Sequence, residues 1–132
     1  EIMLSATDGV RAMRDPTRGG LATVLKEFAV QSGLCFSVSE ADIPVAPGVR
    51  GACDLLGLDP LFVANEGVLL AVVRPDMAEY LVNLMKKHPF GEGAAIVGEV
   101  EASPSGTVIL KTGIGGRRPL DMLYGEQLPR IC

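Results

Sequence analysis

Apolar positions along the chain fall into short runs whose spacing shifts between alternation and helical periodicity. Val10 to Met13 alternate loosely until the bend Arg14-Asp15-Pro16-Thr17-Arg18-Gly19-Gly20 interrupts them. Beyond it, Leu21, Val24, Leu25 and Phe28 recur at helical spacing and predict an amphipathic helix stopped by Gly33. Leu34, Phe36 and Val38 then alternate with small or polar residues, as in a half-buried strand. After the prolines at 44 and 47, Val49, Ala52, Leu55 and Leu56 predict a short helix closed by Gly57. Phe62 and Val63 lead into the turn Asn65-Glu66-Gly67, and the continuously apolar run 67–75, ended by Pro75, predicts a strand in the middle of a sheet. Met77, Leu81, Leu84 and Met85 share one face of a helix over 76–89, with Asp76 and Glu79 early and Lys86 and Lys87 late, the charge order the helix dipole favours. Segments 94–102 and 107–113, joined by Ser103-Pro104-Ser105-Gly106, read as a hairpin of two strands. From Gly113 the pattern dissolves into a polar, Gly-rich, Pro-broken terminal arm.

Helices alternating with strands that end in a hairpin imply an α+β fold, a mixed β-sheet with helices packed on it. The 132 residues are 48% hydrophobic and 5% aromatic, without Trp, which fits one domain with an aliphatic core. A net charge of −4 lacks the basic stripe that a phosphate backbone would require, so nucleic acid is not expected as a partner. No apolar run approaches the roughly 20 residues of a spanning helix, and no signal peptide is apparent, so the expectation is no membrane and a cytoplasmic protein. The first residue is Glu1, followed by apolar Ile2, Met3 and Leu4, which suggests a fragment of something longer.

Three places offer chemistry. The bend before the first long helix can present unpaired backbone N–H groups and the positive end of a dipole, with Arg14 and Arg18 beside Asp15 and Thr17; it could hold a phosphate or carboxylate, or Asp15 or Thr17 could simply cap the helix. Glu66, at the mouth of the most apolar strand, could act as a general base if partly desolvated, or merely occupy a turn. Cys35 and Cys53 lie among apolar residues and read as inert core thiols, and His88 as a surface or capping group; with no CxxC pair and a single His, neither a disulfide framework nor a metal site is expected. Cys132 differs: a thiol at the last position packs poorly and is exposed to oxidation, whereas a mobile arm ending in a nucleophile suits a group carrier. A docking peptide or a redox thiol stays open on chemistry alone.

The blocks AMRDPTRGGLATVL, IPV, VRGACDLLGLDPLFVANEG, AAIVGEV, GGRRPLDM and the final GEQLPRIC, in this order over residues 10–132, resemble the HypE family of hydrogenase maturation proteins. The resemblance implies a PurM-like fold of the AIR synthase C-terminal type, with residues 1–117 as that domain, 118–132 as a flexible tail, and an N-terminal ATP-binding domain missing. It also implies a reaction. The terminal Cys receives a carbamoyl group from the carbamoyltransferase HypF, ATP with Mg2+ drives dehydration of the thiocarboxamide to a thiocyanate, and the cyanide passes to iron on the HypC–HypD complex for the [NiFe]-hydrogenase centre. By position, Cys132 is the acceptor and Pro129, Arg130 and Ile131 form the insertable tail. Asp15, Thr17, Arg18, Gly19, Gly20 and Asn65 border the nucleotide, and Glu66 handles protons. The resemblance further implies a homodimer of the full-length protein and little activity for the isolated piece. The alternatives are another PurM-like ATP-dependent synthetase or kinase, and a non-catalytic module whose arm docks a partner.

Overall fold

The computed structural model describes residues 1–122. Its elements run α1 (Ile2–Ala6), β1 (Val10–Arg14), α2 (Gly20–Ser32), β2 (Cys35–Ser39), α3 (Pro47–Leu56), β3 (Leu70–Val73), α4 (Pro75–Met85), β4 (Gly98–Glu101), β5 (Val108–Lys111) and β6 (Arg117–Pro119), with 3-10 turns at Glu40–Asp42 and Pro60–Phe62. β1 and β3 form an antiparallel ribbon. The other four strands form a mixed sheet in the order β4-β2-β5-β6, parallel only between β2 and β5. This is the α+β, mixed-sheet architecture that the pattern predicts.

α2 is helical because small and apolar residues recur along one side, and Ala22, Leu25 and Ala29 are buried there. They pack with Phe36 and Val38 of β2 and Val108 and Leu110 of β5, and Ile43, Leu61 and Leu120 complete the core. Burying a leucine of this kind contributes about 1.5 to 3 kcal/mol. Gly33 stops the helix in the left-handed conformation, φ 68°, its N–H donating to the Ala29 carbonyl at 2.9 Å. A residue with a Cβ would adopt that conformation at a cost of about 1 to 2 kcal/mol.

The sheet departs from the sequence pattern in four places. β2 is buried on both faces, not one: Cys35, Phe36, Ser37 and Val38 are all buried, because β2 is central and Glu99 of β4 reaches Lys111 of β5 across it at 3.3 Å. β4 and β5 are not a hairpin, since β2 lies between them. β4 is antiparallel and β5 parallel to β2, so the two run in opposite directions as hairpin strands would, and local pattern cannot reveal the inserted strand. Gly98 permits that insertion, for a Cβ there would stand 2.2 Å from the Ser37 carbonyl oxygen.

Among the described residues β3 is not in the middle of a sheet; it pairs there with β1 alone, and its four residues are only half-buried. An apolar run of strand length signals packing, here of Leu70 and Val72 against the core, but not the number of strand neighbours. The stretch after Gly113 also carries order: a turn closed by Thr112 N–H donating to the Gly116 carbonyl at 2.8 Å leads into β6, which crosses residue 118, and Leu120 is fully buried. Finally, α3 forms where its apolar spacing predicts it, yet Val49, Leu55 and Leu56 are exposed and Cys53 is its buried residue.

Candidate functional site

The register of the β1–β3 ribbon brings the bend 15–19 and the turn 65–67 together. Arg14, the last residue of β1, pairs with Leu70, the first of β3, so the bend 15–19 and the turn 65–67 leave the same end of the ribbon. The main-chain N–H of Asn65 donates to the carbonyl of buried Pro16 at 2.9 Å. Asn65 Oδ1 accepts the Gly67 N–H at 2.8 Å, closing an Asx turn around Glu66.

Gly19 and Gly20 both sit at φ 65°. A Cβ on Gly20 would meet the Leu61 carbonyl oxygen at 2.5 Å and the Phe62 carbonyl carbon at 2.7 Å, so the bare Cα lets α2 start flush against the Pro60–Phe62 turn. That turn is itself held by Asp59, whose Oδ1 accepts the Leu61 N–H at 2.9 Å and whose Oδ2 faces Arg118 at 3.4 Å. The Asp59-Pro60 pair, a cap followed by proline at the first helical position, is a sequence signal for this turn that hydrophobic periodicity does not carry.

Gly19 is the N-cap of α2 and has no side-chain hydrogen bond, so the capping role open to Asp15 or Thr17 is not taken up. The first turn of α2 therefore keeps backbone N–H donors and the positive dipole end directed at the bend. The Thr23 hydroxyl donates back to the Gly19 carbonyl at 2.9 Å, which steadies the bend without covering those donors. Arg14 is engaged by Glu27, about two turns along α2, whereas Arg18 and Asp15 stand exposed in the bend and Thr17 is half-buried. Glu66 is exposed in the Asn65–Gly67 turn. A corner of this kind can bind an anion and set a carboxylate beside it.

The structure thus brings Asp15, Thr17, Arg18, Gly19, Gly20, Asn65 and Glu66 to one corner. Pro129, Arg130, Ile131 and Cys132 lie outside the described residues. Cys35 and Cys53 are buried free thiols, and burial together with nearby Glu101 pushes the Cys35 thiol up, away from the reactive thiolate. His88 Nδ1 accepts the Phe90 N–H at 3.2 Å just after α4. A cavity of about 240 Å³ between α3 and the Pro60–Phe62 turn, lined in part by Glu40, Arg50 and Asp54, includes neither the bend nor the Asn65–Gly67 turn. Among the described residues no helix is long and apolar enough to cross a membrane.

A mixed sheet with helices on it, and a Gly-Gly helix start joined to a carboxylate-bearing turn, define an α+β domain with these two segments at one corner. More particularly, residues 1–111 match the family model of the AIR synthase related protein C-terminal domain, and the chain belongs to that family. It is 56% identical over 124 residues to the carbamoyl dehydratase HypE of Bradyrhizobium diazoefficiens, covering 94% of this chain and 36% of the relative. A solved structure of a hydrogenase maturation protein HypE in complex with ATP superposes with a TM-score of 0.86 at 45% identity, over 94% of this chain and 38% of that one. A HypE–HypF complex structure gives 0.87 at 38% identity, over 93% and 40%. The chain therefore spans somewhat over a third of the proteins it matches.

Proposed function

We propose that this chain is the C-terminal part of an ATP-dependent carbamoyl dehydratase that makes the cyanide ligand of the [NiFe]-hydrogenase iron. The 56% identity to a protein of that name is the observation that carries the reading, and the corner joining the bend to Glu66 supplies the groups it needs. In this reading Cys132 bears the carbamoyl group as a thiocarboxamide, S–C(=O)–NH2. Its oxygen is a poor leaving group. Transfer of the γ-phosphoryl group to that oxygen, with ADP released and one N–H proton removed, gives S–C(=NH)–O–phosphate. Departure of phosphate with the C–O bond and loss of the second N–H proton leave S–C≡N, so the oxygen ends in phosphate.

This chain's share of that work falls to two segments. The N–H groups at the start of α2, with Arg18 beside them, hold phosphate, and Asp15, Thr17, Gly19, Gly20 and Asn65 line the same corner. Glu66 accepts the N–H protons. The open start of α2 fits ATP phosphates, which when bound supply the phosphoryl group. Among the described residues no three ligating side chains cluster for a metal ion, so Mg2+ would be held chiefly by the nucleotide and by residues beyond this chain.

The relative's complex with HypF supports a carbamoyltransferase as the donor of the group on Cys132. The HypC–HypD complex would take the cyanide, the full-length protein would work as a cytoplasmic homodimer, and the 132-residue piece by itself would not turn over ATP. The test is intact and peptide mass analysis of the full-length protein after incubation with carbamoyl phosphate, HypF and ATP. The expected result is a carbamoyl adduct on Cys132 that loses one water mass only when ATP is present. An unmodified Cys132 in a mixture that still makes cyanide ligands would end the proposal.

A further inference from the structure

Asn65 is hydrogen-bonded on both sides of the point where Glu66 departs. Its N–H donates to the Pro16 carbonyl and its Oδ1 accepts the Gly67 N–H, so one residue ties the turn to the bend and also closes the turn around Glu66. The footing is firm, since Pro16 is buried and its ring fixes φ. Burial gives the turn no comparable hold: residues 65–69 are all exposed. We infer that Asn65 is a positioning residue for Glu66, setting the carboxylate relative to the start of α2, and that its carboxamide oxygen does this work instead of contacting nucleotide. The inference rests on the proton-handling role proposed for Glu66.

The two possible roles of Asn65 predict opposite rankings of two substitutions. Asn65→Asp keeps an oxygen acceptor for the Gly67 N–H, whereas Asn65→Ala removes it; both keep the main-chain donor to Pro16. If the side chain instead contacted phosphates through Nδ2, Asp would lose that donor and add a negative charge beside an anion, and would be worse than Ala. For a positioning residue Asp is better than Ala, and the loss falls on kcat, because misplacing a reacting group costs up to about 100-fold in rate without removing a binding contact.

The experiment uses the full-length protein carrying this sequence, with ATP-dependent dehydration kinetics and hydrogen exchange at the Gly67 amide. The expected result is that Asn65→Ala lowers kcat by about 10- to 100-fold with KM for ATP changed less than about twofold, and that Asn65→Asp recovers at least about tenfold of any hundredfold loss. The Gly67 amide should exchange about fivefold faster in Asn65→Ala and stay near the parent rate in Asn65→Asp, the effect of one modest hydrogen bond. An unchanged Gly67 rate in Asn65→Ala, or Asp worse than Ala with a raised KM, overturns the inference while the dehydratase reading stands. A parent protein without dehydration activity overturns both.

Discussion

The Pro16 carbonyl and the Asn65 N–H, 2.9 Å apart, join two loops that are remote in sequence into one corner of the fold. The ribbon register Arg14↔Leu70 delivers both loops to the same end, and the bare Cα of Gly20 against the Pro60–Phe62 turn lets α2 begin there. The start of α2 and the turn that carries Glu66 are therefore joined at one end of the ribbon by main-chain contacts.

Gly20→Ala should be among the most costly single changes in the chain. It combines a Cβ at φ 65° with contacts at 2.5 and 2.7 Å to backbone atoms that cannot swing away. A loss of about 2 to 4 kcal/mol is expected. Urea unfolding followed by circular dichroism would read it as a lower midpoint at unchanged slope.

Burial separates two leucines that look alike in sequence. Leu110 is 0% exposed in the core and Leu55 is 89% exposed on α3. Leu110→Ala should cost about 2 to 5 kcal/mol and Leu55→Ala less than about 0.5. Comparable losses at both positions would mean that α3 packs against something in solution.

Among the described residues, the fully buried Ser37 hydroxyl has no hydrogen-bond partner. Ser37→Ala should then be neutral or stabilising by up to about 1 kcal/mol, since it removes an unsatisfied polar group. Thermal unfolding gives the comparison directly, and a clear loss of stability would reveal a partner for the hydroxyl.

Arg74 donates to Asp76 through Nε at 3.0 Å and through its second terminal nitrogen, and these hydrogen bonds hold the Asp76 carboxyl below the usual carboxylate range. A folded pKa lowered in this way stabilises the protein above the unfolded value, about 3.9, and that contribution is lost as pH falls through the folded value. Asp76→Asn should lower Tm at pH 7 by a small amount, the pair being exposed, and the gap between the two proteins should close below about pH 3.9. A gap that widens on acidification would refute the assignment.

Glu66→Gln, in the full-length protein, should abolish ATP-dependent dehydration of carbamoylated Cys132 by at least about 100-fold while leaving carbamoylation by HypF intact. Mass analysis before and after ATP addition separates the two steps, and full dehydration by the variant would remove Glu66 from the mechanism.

The sequence by itself determined the local elements, because their signals are local. Helical spacing from Leu21 with Gly33 beyond it fixed α2, and Gly57 fixed the end of α3. Alternation placed β2, and the motif order carried the resemblance to HypE. What only tertiary structure decided was who neighbours whom. β4 and β5 lie on either side of β2, β3 pairs with β1 alone among the described residues, Val49, Leu55 and Leu56 of α3 are exposed, and β6 extends the sheet through a stretch that reads as polar arm. The Asn65–Pro16 bond belongs to the same class. Helix period and strand alternation are set by bonds within a few residues, whereas strand neighbours and loop contacts depend on which distant segments bury one another's surface, and a linear pattern does not encode that choice.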